Sequence, residues 1–518
     1  MGPDDAAPRH AMGEHVTCSG RPAYCDRMGV QRADSGQDVA ALGDPAAHRG
    51  TALPEYVNLW VAKQRWYGGK GRVPSLRSIG EWTLPTTEPG VSIRTYLVLD
   101  TASLDLPLYQ LPLTERPSAL VNGAQALITA SAGGGDVFVY DAPHDPAYAH
   151  ALMRLILGQA SSPAAGNVDA SARGETLLAG QSGSVGAVVS SRVLSGEQSN
   201  TSIIFDTVDA DGHPARPIIC KVFRAVHDGE NPDVAVQAAL ARAGSRFVPA
   251  PLGCVVGEWD DPGQPAGRAT GHLAFAQEFL PGVEDAWRVA LRAAEAGEDF
   301  SAEARTLGEA TASVHADLAA VMPTREATPE LIRSVFEGMR DRFRAAVAEV
   351  PALGAYGPAI EAVFGRVQSA PWPRLQRIHG DYHLGQVLDA PGRGWVLLDF
   401  EGEPLKAMHE RDQPDVPLRD VAGMLRSFSY AAGTVAMAHP ERDPTVARRW
   451  ALACRRAFLD GYAEGSGQDP RDQGTLLDAF ELDKAVYETV YETRNRPTWL
   501  PIPLAAVRSL IAAVGPTG

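Results

Sequence analysis

Apolar residues follow two different spacings in the first third of the chain. Short runs that alternate or cluster, SIRTYLVLDT at 92–101 and DVFVYDA at 136–142, are typical of strands. In contrast, AYAHALMRLILGQA at 147–160 has its apolar residues at helical spacing, and a second amphipathic helix begins in PEYVNLWVAKQRWYGGKG at 54–71. We therefore expect residues 53–180 to form a β-rich domain with a helix near each end.

The same change from strand to helix spacing recurs further along the chain. AVVSSRVLSGEQSNTSIIFDTV and PIICKVFRAV are β-branched runs separated by the turn sequence DADGHPAR. A helix is predicted from Pro232, a strand over HLAFAQEF, and mostly helices after Asp285. Strands that gather before helices favour an α+β fold with two lobes, a β-rich lobe at 181–283 and a helical lobe at 284–518.

The first 52 residues lack any apolar period and are rich in Gly, Ala, Asp and Pro. This composition predicts a disordered tail at residues 1–52. It has no basic region followed by an apolar run, so a signal peptide is not predicted, and no stretch of about 18 apolar residues suggests a membrane helix.

Charge and cysteine usage restrict the possible partners of the protein. The net charge of −16 disfavours general binding to nucleic acid or to anionic membranes, although a local cation can still hold a nucleotide. The five cysteines are odd in number, and their spacing fits neither a zinc site nor a disulfide scaffold. We expect free thiols in a reducing cytoplasm at Cys18, Cys25, Cys220, Cys254 and Cys454.

The densest group of candidate catalytic residues lies in RIHGDYHLGQVL at 377–388 and in DFEGEP at 399–404. Short apolar runs flank these polar residues, which places them in loops at strand ends. Asp399 and the amide oxygen of Gln386 are hard ligands suited to Mg²⁺. Asp381 would then be available to orient or deprotonate a hydroxyl, while His379 and His383 hold the loop. This division of roles is that of kinase-type phosphotransferases.

The motif HGDYHLGQVL…LLDFEGEP resembles the signature of aminoglycoside phosphotransferase-like kinases. QRWYGGKGR at 64–72, VPLRDVAGMLRSFSYAA at 416–432 and DKAVYETVYETRNRPTWLPIPL at 483–504 narrow the resemblance to actinobacterial maltokinases. The resemblance covers roughly residues 53–510. It implies a bilobal protein-kinase-like fold in which the domain at 53–180 caps the β-rich lobe, with ATP and Mg²⁺ as cofactors.

The resemblance also implies roles for individual residues on the nucleotide side. Asp381 would be the catalytic base, Gln386 and Asp399 the metal ligands, and Lys221 in IICKVFR the partner of the α- and β-phosphates. No glycine-rich phosphate motif is present, so the phosphates are assigned to the polar turn with Ser199, Asn200 and Thr201. The connection between the lobes, with Gln277, Glu278 and Phe279, would contact the adenine edge.

One position departs from the family pattern. Kinase folds place a Glu on the first helix of the β-rich lobe to orient the lysine, but Ala235 occupies that position here. Glu230, Asp233 and Gln237 are the candidates to replace it. The missing Glu is also the one feature that favours a nucleotide-binding, pseudokinase-like regulatory module over an enzyme.

The acceptor site is expected on the helix that contains DKAVYETVYETRNRP, because tyrosines and charged residues recur there at one-turn spacing. An ordinary amphipathic helix would have the same spacing, so this assignment also depends on the resemblance. Trp499 is interpreted as a packing residue. The candidate substrate residues are Asp381, His383, Glu401, Arg419, Lys484, Tyr487, Glu488 and Tyr491.

The reaction implied by the resemblance is phosphorylation of maltose at its anomeric hydroxyl, giving maltose 1-phosphate for α-glucan (glycogen) synthesis. Glucosamine kinases share this architecture, so an amino sugar is the alternative acceptor, and aminoglycoside-modifying enzymes share the Asp381 region. The resemblance is compatible with a monomer or with association with a trehalose-synthase-type enzyme.

Overall fold

The computed structural model describes residues 51–514, apart from 104, 132–135, 163–164, 166–169, 178–184, 196–198, 262 and 404–407. The predicted disordered tail lies outside these residues, except for its last two, which pair with a strand. In the described part of the chain, no helix combines the length and hydropathy needed to cross a membrane.

The first layer is an antiparallel sheet built mainly by the N-terminal domain. Its strands have the order β1-β2-β3-β4-β6-β5, and two helices accompany them. The elements are β1 (Thr51–Ala52), α1 (Glu55–Val61), β2 (Leu76–Thr83), β3 (Ser92–Asp100), β4 (Leu108–Arg116), β5 (Leu127–Ser131), β6 (Val137–Asp141) and α2 (Pro146–Leu157). Both helices agree with those predicted from the apolar spacing.

A second antiparallel sheet, with the order β7-β8-β13-β14-β11-β10-β9, forms the next layer. Its first two strands belong to the segment that the predicted boundary at 180 assigns to the N-terminal domain. Conversely, β12, which lies in the segment predicted as the β-rich lobe, pairs with β4 of the first sheet. The elements are β7 (Ser161–Ser162), β8 (Ala170–Thr176), β9 (Ala187–Val193), β10 (Asn200–Val208), β11 (Ile218–Phe223), β12 (Ala225–Val226), α3 (Pro232–Arg242), β13 (Pro251–Asp260) and β14 (Arg268–Glu278).

Local sequence explains where α3 begins. Asn231 caps the helix by accepting a hydrogen bond from the backbone N–H of Asp233 at 2.9 Å, and Pro232 occupies the first turn, where no donor is needed. Val236 and Leu240 face the helical lobe and are fully buried in its core. The cap and these apolar contacts fix the register of α3, which decides the direction of Asp233.

The remainder of the described chain is mainly helical and packs around one apolar core. It also contains a small sheet, β15-β16-β17, in which β16 follows the polar loop with Asp381 and β17 precedes the one with Asp399. The elements are β15 (Glu284–Asp285), α4 (Ala286–Ala296), α5 (Ser301–Val321), α6 (Pro329–Glu349), α7 (Gly357–Gly365), β16 (Val387–Ala390), β17 (Gly394–Leu397), α8 (Met408–Arg411), α9 (Leu418–Ala438), α10 (Pro444–Ser466), α11 (Gly474–Asn495) and α12 (Pro501–Val514). The α+β fold class with two lobes is confirmed.

Three of the five cysteines lie in the described residues, and all three are buried free thiols: Cys220, Cys254 and Cys454. Burial raises the pKa of Cys254 and of Cys454 to about 12, so these thiols stay protonated near neutral pH. Cys18 and Cys25 lie outside the described residues.

Candidate active site

A cleft of about 660 Å³ runs between the second sheet and the helical lobe. Most of the residues predicted from the sequence line this cleft. They are Ser199, Asn200, Lys221, Gln277, Glu278, Phe279, Asp381, His383, Gln386, Asp399, Lys484, Tyr487, Glu488 and Tyr491. Segments that are distant in sequence therefore meet at one site.

The loop that carries Asp381 is fixed by a carboxylate beneath it. Buried Asp420 on α9 accepts hydrogen bonds from the backbone N–H groups of His379 at 2.7 Å and Gly380 at 2.9 Å. Gly380 has φ +85°, and a Cβ there would lie 2.7 Å from the Cα of Gly402. The turn therefore requires glycine, and it directs Asp381 into the cleft.

Both histidines of the motif contact the backbone of the same region, in line with the loop-holding role predicted for them. His379 Nε2 donates to the carbonyl of Leu398 at 2.8 Å, which joins the two polar loops. His383 Nδ1 accepts from the N–H of Gly385 at 3.1 Å, while its Nε2 lies 3.9 Å from Asp381 Oδ2. His383 also lines the cleft.

Asp381 forms an ion pair with a residue of the predicted acceptor helix. Lys484 Nζ on α11 lies 3.1 Å from Asp381 Oδ1. Burial lowers the pKa of Lys484, but the charge of Asp381 and of further acidic groups outweighs burial and leaves the pKa raised. Lys484 is therefore a cation beside the carboxylate predicted to be the base.

The partner of Lys221, left open by the sequence, is Asp233. Lys221 Nζ lies 2.5 Å from Asp233 Oδ2 and 3.1 Å from Asp399 Oδ1. Asp233 Oδ1 also accepts from Gln237 Nε2 at 2.7 Å and from the N–H of Phe400 at 2.8 Å. Burial raises the pKa of Asp233, but the Lys221 charge and these hydrogen bonds prevail and lower it. One buried carboxylate thus joins α3, β11 and the Asp399 turn.

Oxygen ligands suited to a hard cation lie beside this network. Carboxylate oxygens of Asp233, Asp399 and Glu401 all lie within 4.8 Å of one another. Asp399 has φ +70°, a left-handed conformation that is strained for a residue with a side chain. Gln386, on the neighbouring loop, is buried and lines the same cleft. This donor set fits Mg²⁺.

The turn before β10 contributes two of its three predicted residues to the cleft. Ser199 and Asn200 line it, and Asn200 Nδ2 donates to Glu401 Oε1 at 3.1 Å. Thr201 instead points away, and its Oγ1 accepts from the Nε of Arg224 at 2.9 Å. Residues 196–198 of this turn lie outside the described chain.

Arg419 lies outside the lining of the cleft. Its Nε is 3.0 Å from Asp415 Oδ1, its Nη1 is 3.6 Å from Asp483 Oδ2, and its guanidinium lies 4.5 Å from the ring centroid of Phe480. Glu401 is likewise not among the lining residues, although it contacts Asn200. These contacts connect the helices and loops behind the site.

The far end of the cleft contains residues that the sequence interpretation missed. Tyr430, Glu492, Arg496 and Trp499 line it beside the predicted residues of α11. Tyr430 and Trp499 are stacked with centroids 6.3 Å apart and an interplanar angle of 25°. Trp499 is half-buried and lines the cleft, whereas the sequence suggested a packing role alone. Arg496 and Trp499 follow the recognised helix directly, but Tyr430 comes from α9 and no local signal indicates it.

The acidic groups of this end are already paired. Arg426 Nη2 lies 2.7 Å from Glu488 Oε2, and burial raises the pKa of Glu488 while the Arg426 charge opposes that shift. Glu492 Oε1 is 2.6 Å from Arg496 Nη2 and accepts from the hydroxyl of Tyr430 at 2.5 Å. The end of the cleft thus combines aromatic rings with neutralised acids.

Two family models match separate parts of the chain. A family model described as the maltokinase N-terminal cap domain matches residues 60–145, and one described as the phosphotransferase enzyme family (APH) matches residues 191–471. A glucosamine kinase of Streptacidiphilus jiangxiensis is 32% identical over 304 residues, covering 55% of this chain and 67% of that protein. A glucosamine kinase of Mycolicibacterium smegmatis is 29% identical over 299 residues, covering 55% of this chain and 73% of that protein.

Solved structures show the same fold. A glucosamine kinase (crystal form B) aligns with a TM-score of 0.62 at 24% identity, covering 91% of this chain and 98% of that chain. A glucosamine kinase in complex with glucosamine, ADP and inorganic phosphate aligns with a TM-score of 0.60 at 23% identity, covering 88% and 98%. The predicted bilobal kinase-like fold with an N-terminal cap is confirmed.

Proposed function

The chain belongs to the phosphotransferase enzyme family, and from that premise we propose that it phosphorylates maltose at the anomeric hydroxyl. The protein is an ATP-dependent phosphotransferase with a hydroxyl acceptor, and more narrowly a sugar kinase of this fold. The product of this reaction would be maltose 1-phosphate, which would supply α-glucan synthesis.

The charge balance of the cleft is the main observation that supports a neutral sugar as the acceptor. Every described carboxylate that lines the cleft has a cationic partner within 4.0 Å, so none is left to pair with the ammonium group of an amino sugar. The pairs are Glu278 with Arg393, Asp285 with Arg288, Asp381 with Lys484, Asp399 with Lys221, Glu488 with Arg426 and Glu492 with Arg496.

The aromatic rings at the far end support a disaccharide. Tyr430 and Trp499 form a stacked pair, and Tyr487 and Tyr491 lie on α11 with centroids 6.4 Å apart. Such rings offer apolar faces to a sugar while nearby polar groups bind its hydroxyls. In our proposal, one ring of maltose presents its anomeric hydroxyl to Asp381 and the second ring contacts this aromatic group.

The proposed mechanism uses Asp381 as the general base. Its carboxylate takes the proton of the anomeric hydroxyl as that oxygen forms a bond to the γ-phosphorus, while the bond from the γ-phosphorus to the β–γ bridging oxygen breaks and ADP leaves. Lys484 holds the carboxylate in position through its ion pair.

A second group of residues in the cleft would bind the phosphates of ATP. Lys221, fixed by Asp233, would contact the phosphates of ATP, and the turn with Ser199 and Asn200 would cover them. Asp399 and Gln386 would hold Mg²⁺, with Glu401 close by, and the ion would neutralise charge on the phosphates.

Glucosamine is the second candidate, because both named relatives are glucosamine kinases. The test is a panel of maltose, glucose, glucosamine and an aminoglycoside, assayed with ATP for kcat/KM. We expect kcat/KM for maltose to exceed that for glucosamine by at least about tenfold, the effect of one unpaired buried charge. A higher kcat/KM for glucosamine than for maltose would mean that the acceptor is the amino sugar and not maltose.

A further inference from the structure

The sugar end of the cleft lies between helices α9 and α11, whose side chains pair at matching levels. Arg426 on α9 forms an ion pair with Glu488 on α11. Four residues further along each helix, the hydroxyl of Tyr430 donates a hydrogen bond to Glu492. The two helices therefore run in the same direction here, with each turn of α9 opposite one turn of α11. Tyr430 consequently lies at the level of Glu492 and of its neighbour Tyr491.

The catalytic end of this groove is fixed on the same helix. Lys484 Nζ lies 3.1 Å from Asp381 Oδ1, so position 484 marks the level of the proposed base. Tyr491 follows seven residues later, which corresponds to about 10.5 Å along the helix axis. Two linked hexose rings span a similar length. The second ring of a disaccharide with its anomeric hydroxyl at Asp381 therefore reaches the level of Tyr430 and Tyr491.

A series of ring and cation contacts crosses the groove at this level. Tyr430 stacks on Trp499 with centroids 6.3 Å apart, and the guanidinium of Arg496 lies 4.3 Å from the ring centroid of Trp499. The same guanidinium lies 5.5 Å from the ring centroid of Tyr491, and an ion pair with Glu492 holds it there. The series connects α9 to α11, and we call Tyr430, Trp499, Arg496 and Tyr491 the end wall of the groove.

Trp499 lies at the border between the groove and solvent. It ends the short turn Pro497–Trp499 that follows α11, and both Pro497 and Thr498 are exposed. The Trp499 side chain is half-buried and lines the cleft. A smaller side chain at this position would therefore open the end of the groove toward solvent.

We propose that the end wall limits the acceptor to two sugar rings and that Trp499 enforces this limit. Maltotriose has the same reducing end as maltose, but its third ring would have to occupy the volume filled by Trp499 and Arg496. The inference rests on the proposed function, in which a sugar places its anomeric hydroxyl at Asp381, and it adds an upper limit to the length of that sugar.

The test compares maltose with maltotriose as acceptors for the wild type and for Trp499→Ala, at a saturating concentration of ATP. We expect the wild-type kcat/KM for maltose to exceed that for maltotriose by at least about 50-fold, because the third ring has no space. In Trp499→Ala this ratio should fall to about fivefold or less, mainly through a lower KM for maltotriose. The kcat/KM for maltose should fall by about tenfold at most, since its second ring loses one aromatic contact.

Two further variants distinguish the end wall from general effects on the fold. Trp499→Phe keeps a ring beside Tyr430 and should retain most of the wild-type preference for maltose. Trp372→Ala removes another half-buried tryptophan, which contacts Phe480 and donates to the carbonyl of Val367 outside the lining of the cleft. It should leave the ratio unchanged within about twofold, because distant sites act independently.

The outcomes separate this inference from the proposed function. Equal wild-type kcat/KM for maltose and maltotriose, or an unchanged ratio in Trp499→Ala, would overturn the length limit while leaving maltose as the acceptor. An equal loss of preference in Trp372→Ala would overturn the specific role of Trp499. Phosphorylation of glucosamine but of neither maltose nor maltotriose by the wild type would overturn both the proposed acceptor and the length limit.

Discussion

At the scale of single residues, Asp381 is the group on which the proposed proton transfer depends. Its replacement in Asp381→Ala removes the base while the loop stays fixed by the contacts of Asp420 with the backbone. We expect kcat to fall by about 10²- to 10⁴-fold, and the affinity for ADP to stay within about threefold. Steady-state kinetics and titration calorimetry measure these two quantities.

The control for this variant is Asp389→Ala on strand β16, eight residues further along, where the side chain is exposed. It removes the same charge from the same region and should leave kcat unchanged. Retention of wild-type activity by Asp381→Ala would exclude it as the base.

Lys484 allows a prediction about pH. Burial lowers the pKa of Lys484, but the charge of Asp381 together with further acidic groups outweighs burial and leaves the pKa raised, so the ion pair favours the charged form of each partner. In Lys484→Met this support for the carboxylate is lost, and protonation of the base then occurs at higher pH. We expect the acidic limb of the profile of kcat against pH to move toward higher pH, and kcat to fall at neutral pH. A profile with an unmoved acidic limb would mean that Lys484 does not act through Asp381.

Residues within one short motif were predictable, whereas residues joined only by the fold were not. Asp381, Gln386 and Asp399 lie within 19 positions of sequence, so their spacing identifies them. Tyr430 and Trp499 stack across two different elements, and only packing brings them to the cleft. Sequence reasoning assigned Trp499 to packing because a lone aromatic residue has no pattern that distinguishes the two roles.

At the scale of elements, the register of α3 decides which acid meets Lys221. Positions 233 and 235 differ by about 200° around a helix, so they point in nearly opposite directions. The capped start of α3 directs Asp233 to Lys221. A side chain at position 235, where kinase folds have a Glu, would point away from Lys221. The sequence named Asp233 among three candidates, but only the direction of the helix selects it.

This geometry predicts the outcome of a rescue experiment. Asp233→Ala should lower kcat/KM for ATP by about 10- to 100-fold, since it removes a charged hydrogen bond to Lys221 and the anchor of Phe400. Adding Ala235→Glu to this variant should restore nothing, because the new carboxylate faces away. Recovery of activity in the double variant would show that α3 has a different register from the one described.

At the scale of the whole molecule, the N-terminal domain and the β-rich lobe share a buried polar contact. The Arg224 guanidinium is fully buried and binds both carboxylate oxygens of Asp141, at 2.8 Å and 2.7 Å. It also lies 5.1 Å from the ring centroid of Trp66, in the motif QRWYGGKGR. The domain boundary predicted at residue 180 does not reveal that β12 of the β-rich lobe pairs with β4 of the N-terminal domain. This pairing joins residues that are far apart in sequence, so no local pattern indicates it.

The contact gives a prediction about stability. Arg224→Leu leaves Asp141 buried without its cation and should lower the free energy of unfolding by about 3–5 kcal/mol. Arg268→Leu, which breaks exposed pairs with Asp260 and Glu258, should change it by less than about 1 kcal/mol. Chemical denaturation of the two variants measures the difference. Equal stability of the two variants would contradict the importance of the Arg224 contact.

In the proposed reaction, the anomeric hydroxyl of maltose receives the γ-phosphoryl group of ATP. The most direct measurement is phosphorus and proton NMR of the product formed by the wild-type protein from maltose and ATP. We predict one sugar phosphate whose phosphorus couples to the anomeric proton, with loss of the reducing end in step with ADP formation. A phosphorylated product that keeps its reducing end, or ADP formation without any maltose phosphate, would contradict it.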